Sequence, residues 1–502
     1  MNARQVARGT LLLMAGSLLS RLLGVGREAT IVGLYGVSGT ASAFLTAATI
    51  PTMVYDLLIG GTMTAALIPL LAKRNDVPCA QRALAATFLG VGVAAAILLA
   101  VALGFAAVPL AHLLGAGAST ESLDLTATLI RLVLPGIPFL VGAAVLQALL
   151  NARGSFGTTA LASGGFNLGI VLLGLALAPT IGPVALAMGL VVGALLQFAV
   201  QSWPLRRHFP WPTFSLADPA IRQAHTLASP VALGLVVSQA IVILDRALAW
   251  STGPESIAVM RAATTLVQLP LGLFGTALSL AILPALATIR AQDAFAETLA
   301  LGLRASVSIL IPTTILLVLL REPIVRVLFE RGAFDAAATA LVAQAFLLYA
   351  AQIPFWAADQ ILIAAYYARH RPLTPVLVGL GTSALFVIAA LALVGPFGVQ
   401  GLILANTIQN VAHCVILGAL AWRDGMLTGR NGLVLALVRS VVAAAAASAV
   451  VAALAASLEG ADGFALFARL VVVGGAATGV AAATLGVLGR TDLQRFLGRS
   501  AP

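Results

Sequence analysis

Charge is scarce in this sequence. Of its 502 residues only 9% are Asp, Glu, Lys or Arg, while 60% are hydrophobic and the mean hydropathy is +1.05. Globular domains in water carry about 25% charged residues and cannot bury this much apolar surface. A soluble fold is excluded, and a polytopic membrane protein remains. Lysine is nearly missing: Lys73 is the single one, so arginine carries almost all of the positive charge behind the net +10. Those arginines lie mostly between apolar spans, which is a pattern of membrane topology and not of a nucleic-acid surface. Cysteine is limited to Cys79 and Cys414, far apart and in no metal-like spacing, so neither a disulfide nor a metal centre is expected. Enzyme motifs are missing as well. There is no Walker A loop, no HExxH, and no GxSxG between a strand and a helix. Glycine-rich runs such as GVGREA sit inside apolar helices, where small residues serve close helix packing. The chain is therefore not expected to be an enzyme or to carry a cofactor.

What is present is a series of fourteen segments of membrane length, which predicts an all-α fold. They run over 9–35, 40–71, 83–113, 124–150, 156–178, 183–205, 224–250, 256–289, 299–320, 337–367, 373–394, 398–422, 431–457 and 465–489. The start, with Arg4 and Arg8 before LLLMAGSLL, resembles a signal peptide. Arg21 interrupts it and no small-residue cleavage site follows, so it reads as a first spanning helix. Connections alternate in charge. Arg4/Arg8, Lys73/Arg74/Arg82, Arg153, Arg206/Arg207/Arg222, Arg290, Arg369/Arg371, Arg423/Arg430 and Arg490/Arg495/Arg499 fall on one side. The opposite connections 36–40, 115–124, 179–183, 251–255 and 395–398 hold no basic residue. The positive-inside rule then places both termini in the cytoplasm. One outer connection, Arg321 to Arg331, carries three arginines and two glutamates, and REPIVRVLFERGAF suits a short helix along the outer interface.

The chain repeats itself. IPFLVGAAVLQALLNARGSFGTT from Ile137 aligns without gaps on IPFWAADQILIAAYYARHRPLTP from Ile353, matching Pro138/Pro354, Ala152/Ala368, Arg153/Arg369 and Thr158/Thr374. These are spans four and ten, so spans one to six correspond to seven to twelve as a parallel repeat about an axis along the membrane normal. The expected organisation is an N-lobe (1–207), a cytoplasmic linker (208–223), a C-lobe (224–424), two further helices (425–490) and a cytoplasmic tail (491–502). Two pseudo-symmetric six-helix lobes facing a central cavity are the architecture of an alternating-access transporter.

Span one breaks the apolar rule. SLLSRLLGVGRE, from Ser17, holds Arg21, Arg27 and Glu28. At 1.5 Å per residue Arg21 lies roughly 16 Å from Thr10, near the middle of a core about 30 Å thick. An arginine there costs at least ~2.5 kcal/mol unless it faces protein or water. Arg21 and Glu28 are seven residues apart and share a helix face with Ser17 and Gly24; Arg27 lies about a third of a turn round. Other intramembrane polar residues are Asp56, Arg131, Asp245, Arg246, Gln268, Asp359, Gln360, Asn406, Gln409, Asn410 and His413. Asp56 and Asp359 are the candidates for ion coupling, because a carboxylate in a low-dielectric cavity is placed to bind a proton or cation. The asparagines read as interhelical hydrogen bonds, and His413, with no second ligand in helical spacing, as a packed histidine.

The residues then show a resemblance. SRLLGVGREA from Ser20, ALIPLLAKR from Ala66, SQAIVILDRALA from Ser238, LPLGLFGTALSLAILP from Leu269 and LFERGAFDA from Leu328 resemble the MurJ/MviN family of lipid II flippases. This family falls within the superfamily of oligosaccharide-lipid exporters and multidrug extruders. The resemblance covers essentially the whole chain. It implies a flippase of the bacterial inner membrane that turns an undecaprenyl-pyrophosphate-linked peptidoglycan precursor to the outer leaflet. It implies no cofactor, a cycle driven by membrane potential or an ion gradient, and a monomer whose partners are the lipid-linked glycan and the bilayer, not nucleic acid. The head group would meet Arg21 and Arg27, with Glu28 where the family usually has aspartate, and the lipid tail would run along spans thirteen and fourteen. The family's arginine pair after the span-two proline falls on Tyr55 and Asp56, and its arginine before LPLGLFG on Thr265. The expected substrate-binding set is thus Arg21, Arg27, Glu28, Tyr55, Thr265 and Gln268. A flippase for another lipid-linked oligosaccharide, a cation-coupled extruder using Asp56 or Asp359, and a non-transporting scaffold stay open at this point.

Overall fold

The computed structural model describes residues 3–58, 67–74, 76–215, 219–428 and 432–488. Every regular element among them is a helix. In order these are α1 (Ala3–Tyr35), α2 (Gly39–Leu57), α3 (Ile68–Ala72), α4 (Pro78–Phe105), α5 (Ala107–Leu114), α6 (Thr120–Val133), α7 (Gly136–Ala152), α8 (Phe156–Ile181) and α9 (Val184–Ser202). They continue as α10 (Pro219–Thr252), α11 (Ser256–Pro270), α12 (Thr276–Thr288), α13 (Gln292–Leu319), α14 (Arg321–Phe329), α15 (Ala336–Ala350), α16 (Ile353–Ala368), α17 (Leu373–Arg423), α18 (Leu433–Leu454) and α19 (Gly463–Leu488). A π-helical turn, Leu271–Gly275, joins α11 to α12.

The spans are legible in these elements. Eight helical stretches are individually long and apolar enough to cross a membrane, and two bent pairs, α6 with α7 at 47° and α15 with α16 at 42°, bring the number to ten. The helix α17 has 51 residues, but Gly398 at φ 57°, ψ −136° divides it; at 1.5 Å per residue it would otherwise be more than twice the roughly 30 Å of a hydrocarbon core. Counting its second half with α1, α10 and the pair α2 and α3 accounts for the fourteen expected spans. The middle of the second span (59–66), Arg430 and the tail from residue 489 lie outside the described residues. Proline places both bends: Pro135 immediately precedes α7, and Pro354 sits in the first turn of α16. A proline there lacks only an N–H that a helix start leaves unbonded.

By internal packing the chain forms two compact units, Met1–Ala258 with Gly332–Phe334 and Val259–Arg331 with Asp335–Pro502. In unit 1, α10 packs on α2 and α5. Trp250 Nε1 donates to Thr46 Oγ1 at 3.0 Å, and the Ala258 amide donates to Ser42 Oγ at 3.3 Å. The seventh span therefore belongs to the second repeat by sequence and to unit 1 by packing. The Ala333 amide bonds the Gly33 carbonyl at 2.8 Å, which fastens Gly332–Phe334 to the end of α1 within unit 1. In unit 2, α13 packs against α18 and α19 through Leu316 and Leu320 and two stripes of small residues, Ala443/Ala447/Val451 and Val473/Ala477/Ala481. Lipid gives helices no hydrophobic reason to associate, so small side chains that allow close approach do the work.

Within each unit the same local devices recur at the 216-residue offset that relates Ile137 to Ile353. Ser119 caps α6 and Asp335 caps α15, each accepting from the amide three residues on. After α7 the Ser155 amide reaches the Leu150 carbonyl at 2.8 Å; after α16 the Arg371 amide reaches the Tyr366 carbonyl at 2.9 Å. The left-handed residue of this cap is Gly154 (φ 73°) in unit 1 and His370 (φ 55°) in unit 2. Gly182 and Gly398 turn left-handed at the next connection, with φ 60° and 57°. The repeat arginines make equivalent clasps: Arg153 Nε donates to Gln81 Oε1 at 2.8 Å, and Arg369 Nη2 to Gln292 Oε1 at 2.6 Å. Both glutamines lie in the first turn of a 28-residue helix, α4 or α13. Burial, and secondarily the Arg82 charge, holds the Arg153 guanidinium below its ordinary pKa.

Candidate functional site

The polar interior of unit 1 is built on α1 and α8. Arg27 and Glu28 are neighbours on α1 and form an ion pair, with Arg27 Nε 3.2 Å from Glu28 Oε1 and a second bond from Nη2. Arg27 Nη1 donates to Asn167 Oδ1 on α8 at 3.0 Å. Asn167 Nδ2 donates back to the Ser20 carbonyl at 3.2 Å, and the Ser20 and Ser163 hydroxyls lie 2.8 Å apart. Glu28 is 1% exposed and Arg27 16%. The guanidinium is thus held in a plane by a carboxylate on one edge and an amide on the other, which uses its fork geometry. Arg21, six residues earlier on the same helix, is half-buried. The seven-residue spacing puts Arg21 and Glu28 on one face of α1, and Glu28 forms an ion pair with its neighbour Arg27.

The other expected site residues fall in different surroundings. The Tyr55 hydroxyl accepts from Gln197 Nε2 at 2.6 Å and donates to Gln147 Oε1 at 3.2 Å, so it ties α2 to α7 and α9. Asp56, next to it, is exposed. In unit 2, Thr265 is half-buried and donates to the carbonyl of Arg261 at 2.9 Å; Gln268 is exposed. Arg261 itself is half-buried on α11, one turn before Thr265 and on its face. Sequence reasoning missed it, because register comparison tests only the aligned position. A signal existed: an arginine at i−4 presents its charge on the same side of the helix as the threonine standing at the family's arginine position.

Asp359 and His413 come together. Asp359 on α16 is 8% exposed, and its Oδ1 lies 2.7 Å from His413 Nδ1 on the second half of α17. His413 Nε2 lies 3.3 Å from the Pro375 carbonyl at the start of α17. Asn410 Nδ2 donates to Gln352 Oε1 at 2.7 Å, holding the bend between α15 and α16, as expected of an interhelical asparagine. Asp245 and Arg246 on α10 are 3.9 Å apart. Arg131 is exposed near the end of α6. Among the described residues no cluster of three His, Cys, Asp or Glu side chains is arranged to hold a metal.

A long polytopic bundle with paired arginine inside it is met in several transporter classes; sequence comparison narrows them. A sequence model described as lipid II flippase MurJ matches residues 31–472. The chain belongs to the MurJ family. A probable lipid II flippase MurJ of Vibrio cholerae is 27% identical over 83% of this chain and 82% of its own length. The lipid II flippase MurJ of Burkholderia cenocepacia is 27% identical over 82% of each. A solved lipid II flippase MurJ in an inward closed conformation superposes with a TM-score of 0.80 at 21% identity, covering 97% of this chain and 100% of the other. An inward-facing multidrug resistance MATE transporter of the MOP superfamily follows at 0.67 and 14% identity over 83% of this chain. The fold is therefore one that MurJ shares with the MATE transporters. The protein is a multi-pass membrane protein of a transporter family, not an enzyme.

Proposed function

We propose that this protein flips lipid II from the inner to the outer leaflet of the bacterial inner membrane, with both termini in the cytoplasm. The observation that carries this reading is the match to the MurJ family across nearly the whole chain. The geometry of α1 supplies a chemistry for it. Arg27 is half-buried beside a buried countercharge, Glu28, that it can exchange for another anion. A pyrophosphate replacing Glu28 keeps the desolvated guanidinium paired throughout loading, which avoids the penalty of a buried lone charge. Arg21, one and a half turns away on the same helix, adds a second cation to the path. Glu28 then holds Arg27 in position between cycles. Membrane potential or an ion gradient drives the return, and the monomer with its lipid-linked glycan is the working unit.

The test is flipping of labelled lipid II in proteoliposomes, with folding checked separately. Arg27→Lys is expected to impair flipping, since lysine keeps the charge and loses the planar fork. The double variant Arg21→Ala/Arg27→Ala is expected to abolish it while still inserting, since the span becomes more apolar. Wild-type flipping by a well-folded double variant would overturn the assignment of these arginines. Reporters fused after Arg74 or Arg207 should read cytoplasm, and one after Gly117 the outside.

A further inference from the structure

A cavity of about 590 Å³ lies at the end of unit 1 where α4 begins, α7 ends and the 3-10 turn Trp203–His208 follows α9. Arg82, Arg153 and His208 line it, together with Cys79 and Gln81, and no carboxylate does. Gln81 takes the Nε of Arg153, which leaves the two terminal nitrogens of that guanidinium for another acceptor. Arg82 has no carboxylate partner among the described residues. The helix α4 also starts with no capping side chain and no acidic residue in its first turn. The positive end of its dipole and the Arg82 cation therefore meet at this cavity with nothing in the chain to offset them.

The equivalent end of unit 2 supplies its own anions. The two clasps set Gln81 level with Gln292, so Arg82 answers to Asp293 and Leu84 to Phe295. At the 216-residue offset His208 answers to Asp424. Asp293 sits in the first turn of α13, where a carboxylate suits the helix dipole. Asp424 accepts from Arg371 Nη1 at 2.9 Å, and the Arg369 guanidinium stacks on the Phe295 ring, 3.9 Å from its centroid. Unit 1 thus has cations at both positions where unit 2 has carboxylates, and an aliphatic side chain where unit 2 has the covering ring.

The border of the cavity narrows the source of the missing anion. Beyond His208 the chain runs along α4: the Thr213 amide bonds the Ala86 carbonyl at 3.1 Å, and a Cβ on Gly90 would collide with the Thr213 backbone. Ala86 is eight residues past Pro78, about 12 Å along the helix. On this segment Trp211 and Phe214 are 75% and 74% exposed. Cations at the helix end with bare aromatic rings further along the span are the profile of a membrane interface. A lipid head group uses both features; a soluble anion leaves the rings idle.

We propose that this end of unit 1 binds the phosphate of an anionic phospholipid between Arg82, Arg153 and His208, with the acyl chains against Trp211 and Phe214, at a site separate from Arg27 and Glu28. On the topology proposed above the lipid belongs to the cytoplasmic leaflet; the binding itself does not rest on the flippase reading.

Cys79, exposed in the cavity wall, reports occupancy, while Cys414 is buried. The full chain in neutral detergent is titrated with phosphatidylglycerol, phosphatidylcholine or inorganic phosphate, and alkylation of Cys79 by N-ethylmaleimide is followed by mass spectrometry. Phosphatidylglycerol should protect Cys79 at concentrations about fivefold or more below phosphatidylcholine, the worth of one arginine near a membrane surface. Arg82→Asp should erase that preference and leave the unfolding midpoint in place, because Arg82 pairs with no carboxylate. Trp211→Ala should weaken protection by phosphatidylglycerol and leave that by phosphate unchanged. Equal protection by the two lipids, or an Arg82→Asp variant protected like wild type, overturns the site. Protection by inorganic phosphate as strong as by phosphatidylglycerol overturns the lipid as its occupant. In the unprotected Arg82→Asp variant, a membrane-impermeant maleimide should reach Cys79 in inside-out vesicles and not in whole cells. The reverse would overturn the topology and the leaflet assignment while the binding result stands.

Discussion

At mid-span on α9 the inward residue is Gln197, bonded to Tyr55; at the same repeat position on α17 it is His413, bonded to Asp359. Mid-span on α8, Asn167 holds Arg27; the repeat position on α17 is Ser383. The helix ends do the opposite. Caps Ser119 and Asp335, clasps Arg153–Gln81 and Arg369–Gln292, and the left-handed turns at Gly154/His370 and Gly182/Gly398 agree between units. Helix ends leave backbone groups unbonded, and few residues satisfy them, so the two units converge there. The middle of a helix satisfies its own backbone, so side chains at mid-span are free to differ, and it is there that each unit carries its own chemistry.

The sharpest way to break this comparison is to strip a countercharge from each interior. Glu28→Ala takes the carboxylate from the half-buried Arg27, which cannot shed its charge, and should destabilise unit 1 by up to about 3 kcal/mol. Asp359→Ala leaves a histidine that can become neutral, and should cost about 1–3 kcal/mol, the penalty of an unmet hydrogen bond. Apparent unfolding midpoints in detergent would rank the two, and equal losses would show that the pairs are alike in kind.

A second contrast lies in packing. A Cβ on Gly193 of α9 would collide with the backbone of Phe166 on α8, and one on Gly189 would come within 2.8 Å of the Ile170 Cα. The repeat positions on α17 are Gln409 and Ala405. Gly193→Leu should therefore cost about 1–3 kcal/mol or more as overpacking, while Gln409→Leu should leave the unfolding midpoint nearly unchanged. A tolerated Gly193→Leu would mean that α8 and α9 can part without loss.

Amino-acid order alone revealed the frame, because span length, arginine placement and the ungapped repeat from Ile137 are one-dimensional signals. It singled out Arg21, Arg27 and Glu28 and left open which arginine Glu28 would hold; the structure pairs it with Arg27. Face geometry ranks Cβ directions, and a guanidinium on a long stem crosses the roughly 100° between neighbours. His413 looked solitary because its partner is 54 residues away on another helix, where no spacing rule applies. Arg261 escaped because it stands one turn off the aligned position.

The smallest effect concerns the shared cap. His370 holds φ 55° where unit 1 has Gly154 at 73°. Gly154→Ala should lose, and His370→Gly gain, on the order of 1 kcal/mol, the cost of a Cβ in the left-handed region. Thermal shifts of opposite sign would confirm that the two turns are equivalent; shifts of the same sign would separate them.

The π-helical turn at Leu271–Gly275 sets the orientation of everything after it in its span. Such a turn houses one residue more than an α-helix would between the same two points. Closing the turn into a plain α-helix with all its residues kept would instead rotate α12 by about 100° relative to α11. Ser279, whose hydroxyl now donates to the Gln360 carbonyl at 3.1 Å, would turn away from α16. LPLGLFG is in this sense an angular setting: its length in residues, as much as its composition, decides which side of α12 its neighbours meet.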